Sequence, residues 1–217
     1  EVVSRSARSY MALMERPLIL LSNDDGSRAE GVRSLHDTLS VWADVVLCAP
    51  DTEQSASSHS LSLNRPLRIA RHGENTWSVD GTPVDSVYIA LHAEDVLPRT
   101  PDLVVSGVNH GLNLGLDVFY SGTVAAAREG ALQGMTALAL SASPKADRAS
   151  VNRMASDLAR ALIETQKGLA RLYNVNFPAG ADWPIRPTRL GRRVYSGGLV
   201  KRQDPRGQDY FWIGGSE

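Results

Sequence analysis

Leu18-Ile19-Leu20-Leu21-Ser22-Asn23-Asp24-Asp25-Gly26 is the stretch from which the rest of the chain can be read. Four consecutive apolar residues, bounded by Pro17 and by an Asn-Asp-Asp-Gly turn, predict a strand buried on both faces, at the centre of a parallel sheet. Ligands of such sheets bind just beyond the carboxyl ends of the strands. Two adjacent carboxylates at that place repel each other unless a cation, backbone amides or open water stabilises them. A hard divalent cation is the sharpest reading, because carboxylate oxygens are its preferred ligands. The plainer reading is that Asp24 or Asp25 caps the following helix while Gly26 makes the turn.

Outward from this strand, helical and strand patterns alternate. Val32, Leu35 and Leu39 give residues 29–40 a helical face, and 44–49 is a second apolar strand ended by Pro50. A polar loop, 51–60, follows it. Residues 61–70 and 76–79 read as strands of a smaller excursion. Thr82 caps a helix with Pro83 at its first position and an apolar face of Val84, Val87, Tyr88 and Leu91. A further strand, 102–106, runs into a Gly/Asn-rich loop, 107–115. Then come an alanine-rich helix at 122–132, a strand at 137–141, a long amphipathic helix at 148–166 and a strand at 172–177. This order predicts a Rossmann-like α/β fold, a doubly wound, mainly parallel sheet in three layers. Beyond Pro178, residues 186–195 and 209–213 read as strands of a small C-terminal β appendage. The expected division is a poorly ordered leader at 1–16, a Rossmann-like domain at 17–178, and a β-rich segment at 179–217.

Composition agrees with one such domain and narrows the partners. The chain has 217 residues, 42% of them hydrophobic and 22% charged, which suffices for an ordinary core. A net charge of −1 offers no basic field to draw in nucleic acid polymers. No apolar stretch approaches the length of a membrane span, and residues 1–17 lack the apolar core of a secretory signal. The single cysteine, Cys48, excludes a disulfide within the chain and suits a reducing compartment, so a cytoplasmic location is expected.

Three polar loops follow three buried strands: 22–26, 51–60 and 107–121. A doubly wound sheet opens all three on one edge. They bring Asp24 and Asp25, the hydroxyls of Ser55, Ser57, Ser58 and Ser60, the imidazole of His59, and the amides of Asn109 and Asn113. An oxygen-rich set without a Cys or His cluster suits Mg²⁺, Mn²⁺ or Ca²⁺ better than structural zinc. Tyr120-Ser121-Gly122-Thr123 precedes the alanine-rich helix, where free amides and the helix dipole make a ready anion site and Gly122 permits close approach. An ordinary Ser/Thr cap is the plainer alternative. A divalent cation beside an anion-binding helix start is the equipment for attack on a phosphate ester. Phosphate-loop, dinucleotide-loop and nucleophile-elbow motifs are absent. So is an Asp-x-Asp after the first strand.

The stretches LILLSNDDG, APDTEQSASSHSLSL, DGTPVDS, DLVVSGVNHGLNLG, YSGTVAAAREG, NVNFP and QDPRG closely resemble, in order, the SurE family of stationary-phase survival proteins. The resemblance implies metal-dependent hydrolysis of nucleoside monophosphates, a 5′-nucleotidase activity extending in members to 3′-monophosphates and to short polyphosphate. It implies one divalent metal ion per subunit, Mg²⁺ or Mn²⁺, held by Asp24, Asp25, Ser55 and Asn109. Asp24, Asp25 and Asn109 would form the catalytic set, and Asn113, Ser121, Gly122 and Thr123 would meet phosphate. Asn23 would orient the ligand loop, and Thr82 with Asp85 would help shape the site or simply cap a helix. His59 would donate a proton or bind phosphate; a lone loop histidine is otherwise incidental. The resemblance also makes 17–178 the metal- and phosphate-binding domain and 179–217 a truncated oligomerisation segment, through which a homodimer or homotetramer would be built. Family members continue past the segment matching Tyr210–Trp212 for tens of residues, whereas this chain stops at Glu217. The alternative expectation is therefore a catalytically weak nucleotide-binding module.

Overall fold

The computed structural model describes residues 16–166, 168–192 and 198–214. Of the leader, only Arg16 falls within them; its guanidinium donates to the Ser40 and Ala43 carbonyls at 2.6 and 2.8 Å.

Seven strands form one sheet in the order β3-β4-β2-β1-β5-β6-β7. They are β1 (Leu18–Ser22), β2 (Asp44–Pro50), β3 (Ile69–Gly73), β4 (Thr76–Val79), β5 (Leu103–His110), β6 (Thr136–Ala142) and β7 (Arg171–Phe177). Every pairing is parallel except β3 with β4. β1 lies in the middle, wholly buried, as its unbroken apolar run requires. Helices α1 (Glu30–Ser40) and α5 (Arg148–Thr165) cover one face, with Val32, Leu35, Leu39, Val151 and Ala155 in that core layer. Helices α2 (Pro83–His92) and α4 (Gly122–Leu132) cover the other, where Val87, Ala90, Val124 and Ala126 meet Leu20, Val46 and Val104. α3 (Asp117–Tyr120) is a single turn leading into α4. The doubly wound expectation is met.

The winding places the site. From β1 the chain crosses over α1 to β2 on one side; from β5 it crosses over α4 to β6 on the other. β1 and β5 are neighbours, with Ser22 opposite Ser106. Their following loops diverge to opposite faces and leave a crevice between them, the position where open α/β sheets bind ligands.

Some expected elements differ. Residues 61–68 are not a strand; β3 begins only at Ile69. Asp85 takes that segment instead, accepting from the Ser62 amide and hydroxyl at 2.9 and 2.7 Å. On α2, Tyr88 is exposed and stacks on His92, and Ala90 takes the buried place beside Val84 and Val87. Strand β5 continues to His110 through a shift of register after Ser106, so part of the expected glycine loop is ladder. Residues 186–192 carry no strand, while 193–195 lie outside the described residues. The C-terminal hairpin is formed instead by β8 (Gly198–Gln203) and β9 (Asp209–Gly214), an antiparallel pair in a sheet of its own.

Candidate active site at the β1–β5 crevice

The turn after β1 is fixed by Asn23, whose side-chain amide donates to the Gly26 carbonyl at 3.0 Å. Gly26 adopts φ +98°, open to glycine at little cost. The N-cap of α1 is Ala29, without a side-chain cap. Asp24 and Asp25 therefore do not cap the helix that follows them, and the plainer reading of the pair falls away.

The two carboxylates part company at the crevice. Asp24, 7% exposed, turns toward the start of α4, where the Thr123 hydroxyl donates to its Oδ1. Burial pushes its pKa up, and the Thr123 hydrogen bond opposes that shift. Asp25 instead forms the wall of a cleft on the α1/α5 side, together with Asn109 and His110. Its pKa rises to about 6, first because of burial, then because of the negative charges of Asp24 and Glu53. Proton affinity this high in paired carboxylates marks a place that positive charge would stabilise.

The start of α4, the candidate anion cradle, is equally specific. Ser121 caps α4, accepting from the Val124 amide at 3.1 Å. A Cβ on Gly122 would lie 2.7 Å from Asp24 Cβ, 3.0 Å from Asp24 Oδ2 and 2.8 Å from Ser57 Oγ. Only glycine leaves that space free. Ser57 Oγ and Asn23 Oδ1 are buried without a hydrogen-bond partner. Such groups are costly to leave unmade in a finished core, and common where a ligand completes them.

The second loop is stitched over this cradle. The Gln54 amide donates to the Asp24 carbonyl at 2.8 Å, and the Ser58 amide and hydroxyl donate to Tyr120 and Phe119 carbonyls at 3.0 and 2.7 Å. Ser55 lies in this exposed loop and donates to Glu53 Oε1 at 2.5 Å rather than facing the aspartates. His59 is drawn away from the cradle: its Nε2 pairs with Glu129 Oε2 at 2.9 Å. Glu129 is seven residues into α4 from Gly122, about 10 Å along the axis. It is 3% exposed and also accepts from Gln133 at 2.8 Å. Thr82 and Asp85 form a reciprocal capping box, and the Thr82 hydroxyl donates to the Ser60 carbonyl at 2.7 Å, which ties down the end of the same loop.

In the third loop, the Asn109 side-chain amide donates to the Gly111 carbonyl at 2.8 Å beside Asp25. Asn113 is buried and turned to the sheet: its amide donates to Ser141 Oγ at 2.8 Å, and its carbonyl accepts from Asn174 and Asn176. Asp24, Asp25, Asn23, Asn109, Gly122 and Thr123 are thus assembled about one crevice, while Ser55, His59 and Asn113 face other partners. Glu53, Glu129 and His110 join the surroundings without having been singled out, while Ser57, named only among the hydroxyls of its loop, stands against Gly122. Among the described residues no group of three or more His, Cys, Asp or Glu is placed to hold a metal. A cation here must complete its shell with hydroxyl and amide oxygens, which a hard ion accepts.

The family model "Survival protein SurE" matches residues 19–197. The 5′-nucleotidase SurE of Sorangium cellulosum (strain So ce56) is 56% identical over 206 residues, spanning 93% of this chain and 80% of that protein. The 5′-nucleotidase SurE of Vibrio parahaemolyticus is 45% identical over 210 residues, spanning 94% and 80%. The crystal structure of the SurE protein from Aquifex aeolicus superposes with a TM-score of 0.77 at 33% identity, covering 93% of this chain and 83% of that one. With the family model matching most of its length and the relatives' sequences and fold agreeing, the chain belongs to the SurE family.

Proposed function

We propose that this chain is a divalent-cation-dependent phosphomonoesterase that hydrolyses nucleoside 5′-monophosphates to nucleoside and phosphate. The carrying observation is the division of the aspartate pair, Asp24 against an anion-binding helix start and Asp25 in the wall of a substrate-sized cleft. Curated relatives 45–56% identical to it are named 5′-nucleotidases.

The residues fit a hard cation. Two carboxylates that burial and neighbouring negative charge make costly to ionise follow Asn23, whose side-chain oxygen has no partner. Asp24, Asp25, Ser55 and Asn109 would hold one Mg²⁺ or Mn²⁺, with the Ser55 hydroxyl leaving Glu53 to join them. Bound there, the ion supplies Lewis acidity next to the phosphate.

The chain's own groups do the rest. The first-turn amides of α4 at Gly122 and Thr123 and the positive end of the helix receive phosphate oxygens. Ser57 donates its unused hydroxyl to the same anion, and Gly122 keeps the approach clear. Donors already in place stabilise charge that grows in the transition state without reorganising. Ser121 holds the helix start, Thr123 holds Asp24, and Asn113 braces the third loop against β6 and β7. His59, pinned by Glu129, fixes the loop that carries Ser57.

The exposed Leu199, Tyr210, Phe211, Trp212 and Ile213 of the β8–β9 hairpin support association into a homodimer or homotetramer. Among the described residues no helix is long and apolar enough to cross a membrane. The one cysteine, Cys48, is a buried free thiol, and a chain without a disulfide of its own supports a cytoplasmic place.

The test is phosphate release from nucleoside 5′- and 3′-monophosphates and short polyphosphate, with and without EDTA. Release from 5′-monophosphates that stops with EDTA and returns with Mg²⁺ or Mn²⁺ is expected. Undiminished turnover in EDTA refutes the cation. Nucleotide binding without any release establishes a binding module instead.

A further inference from the structure

We infer that Asn174 and Asn176 of β7 are positioning residues for the phosphate half of the site. Their side chains hold the main chain of Asn113 and, through it, the start of α4 where the anion is received. This role rests on the phosphatase reading above.

The sequence of β7 separates two faces. Tyr173, Val175 and Phe177 pack into the core layer beneath α1 and α5. Asn174 and Asn176, two residues apart, stand together on the opposite face of this edge strand. There they treat Asn113 as a neighbouring strand would. Asn176 Oδ1 accepts from the Asn113 backbone amide at 2.8 Å, and its Nδ2 donates to the Asn113 carbonyl at 3.2 Å. Asn174 Nδ2 donates to the same carbonyl at 3.0 Å. The side chain of Asn113 donates in turn to Ser141 Oγ at 2.8 Å, and Ser141 lies opposite Asn176 in the ladder. Asn113 is 7% exposed, so its backbone groups need partners, and a loop has no ladder to supply them.

Local bonds carry this hold to the anion cradle. The third loop leaves the sheet at Gly111, whose amide donates to the Ala142 carbonyl at 2.9 Å. Beyond Asn113, the Leu114 carbonyl accepts from the Asp117 amide at 3.1 Å, and the Asp117 carbonyl from the Ser121 amide at 2.8 Å. Ser121 then caps α4. A shift of Asn113 therefore reaches the amides of Gly122 and Thr123. The cation side is fixed before the brace: Asp24 and Asp25 follow β1, and Asn109 is paired with Ser141 in the β5–β6 ladder. Loss of the brace should weaken phosphate and spare the cation.

Titration calorimetry of Mg²⁺, and of inorganic phosphate on the Mg²⁺-loaded protein, tests this. Asn176→Asp keeps the shape and the acceptor for the Asn113 amide but sets an oxygen against its carbonyl. It should weaken phosphate about tenfold, the loss of one hydrogen bond, and lower kcat/KM for p-nitrophenyl phosphate by at least as much. Mg²⁺ affinity should stay within about twofold, well short of the loss of a hydrogen bond. Asn176→Ser repeats the test should the charge prevent folding. Asn174→Ala, at an exposed position, should weaken phosphate only about twofold, because Asn176 still donates to the shared carbonyl. Combined with Asn176→Asp it should cost more than the product of the two effects, since the carbonyl then has no donor left. Unchanged phosphate affinity, phosphate and Mg²⁺ affinities falling together, or a strictly multiplicative cycle would each overturn the assignment. A wild type that binds no phosphate overturns the cradle and the brace alike. One that binds phosphate but releases none from any ester refutes the phosphatase alone, and the calorimetry still reads the brace.

Discussion

Replacing Asp25 by Asn should destroy activity and, at the same time, stabilise the metal-free protein at neutral pH. Asp25 is held near a pKa of about 6 against an ordinary 3.8, by burial and by the charges of Asp24 and Glu53. A carboxyl raised in the folded state binds its proton more tightly folded than unfolded. Its contribution to stability is complete below the unfolded value of 3.8 and is lost as pH climbs toward 6. Two pK units correspond to a ceiling of about 3 kcal/mol. Partial exposure of the side chain and screening bring the expected gain to about 1–2 kcal/mol. The neutral amide has the same shape and avoids that cost. Urea unfolding in EDTA from pH 4 to 8 measures it directly. The wild type should lose stability relative to Asp25→Asn between pH 4 and 6, and the difference should then hold constant to pH 8. The lowered carboxyls, Asp80, Asp147 and Asp209, titrate below this window in both proteins. Parallel curves, or an Asp25→Asn protein less stable at pH 8, would refute the reasoning.

Gly122→Ala should reduce turnover about a hundredfold and lower the melting temperature as well, because the added methyl would sit 2.7 Å from Asp24 Cβ and 2.8 Å from Ser57 Oγ, a clash that outweighs alanine's helix preference. Thr123→Val keeps the buried shape but strips Asp24 of its donor; cation affinity should fall in titration calorimetry, and stability by about 1–3 kcal/mol. Glu129→Gln should loosen the loop that carries Ser57, raising KM for p-nitrophenyl phosphate and the rate of proteolysis within 55–60 more than it lowers kcat. A large fall in kcat alone would place His59 at the chemistry instead.

Much of this arrangement was legible in the residues. Leu18–Leu21 is buried on both faces and behaves as its unbroken apolar run predicts, and the loops after β1, β2 and β5 do converge. Pattern also found Thr82 as the cap of α2, since caps are local; the reciprocal bond from Asp85 is the structure's addition. What escaped is contact between distant positions. Thr123 serves Asp24 across 99 residues and Glu129 holds His59 across 70, and neither separation leaves a trace in spacing. Ser55 and His59 were placed in the correct loop, but which way a loop side chain turns depends on competing partners such as Glu53. The second strand of the C-terminal hairpin lies where its aromatics stand; its first is Gly198–Gln203, whereas 186–195 was expected. A hairpin outside the main sheet has no buried face to set its register.

The close seating of α4 has a consequence for how this protein can change. A Cβ on Gly130 would meet Val104 at 2.7 Å, and Ala125, Ala126 and Ala127 leave the helix flush with the sheet. The helix works as a strut whose far end, about 12 Å away, carries the anion cradle. Any larger side chain along its buried face lifts the strut and displaces the cradle without touching a ligand. Rigid propagation of this kind means that cavity-filling substitutions, the usual route to a hardier enzyme, are the ones to avoid on α4. Engineering for heat tolerance should be spent on the exposed loops and on the β8–β9 hairpin, where side chains can grow without moving the strut.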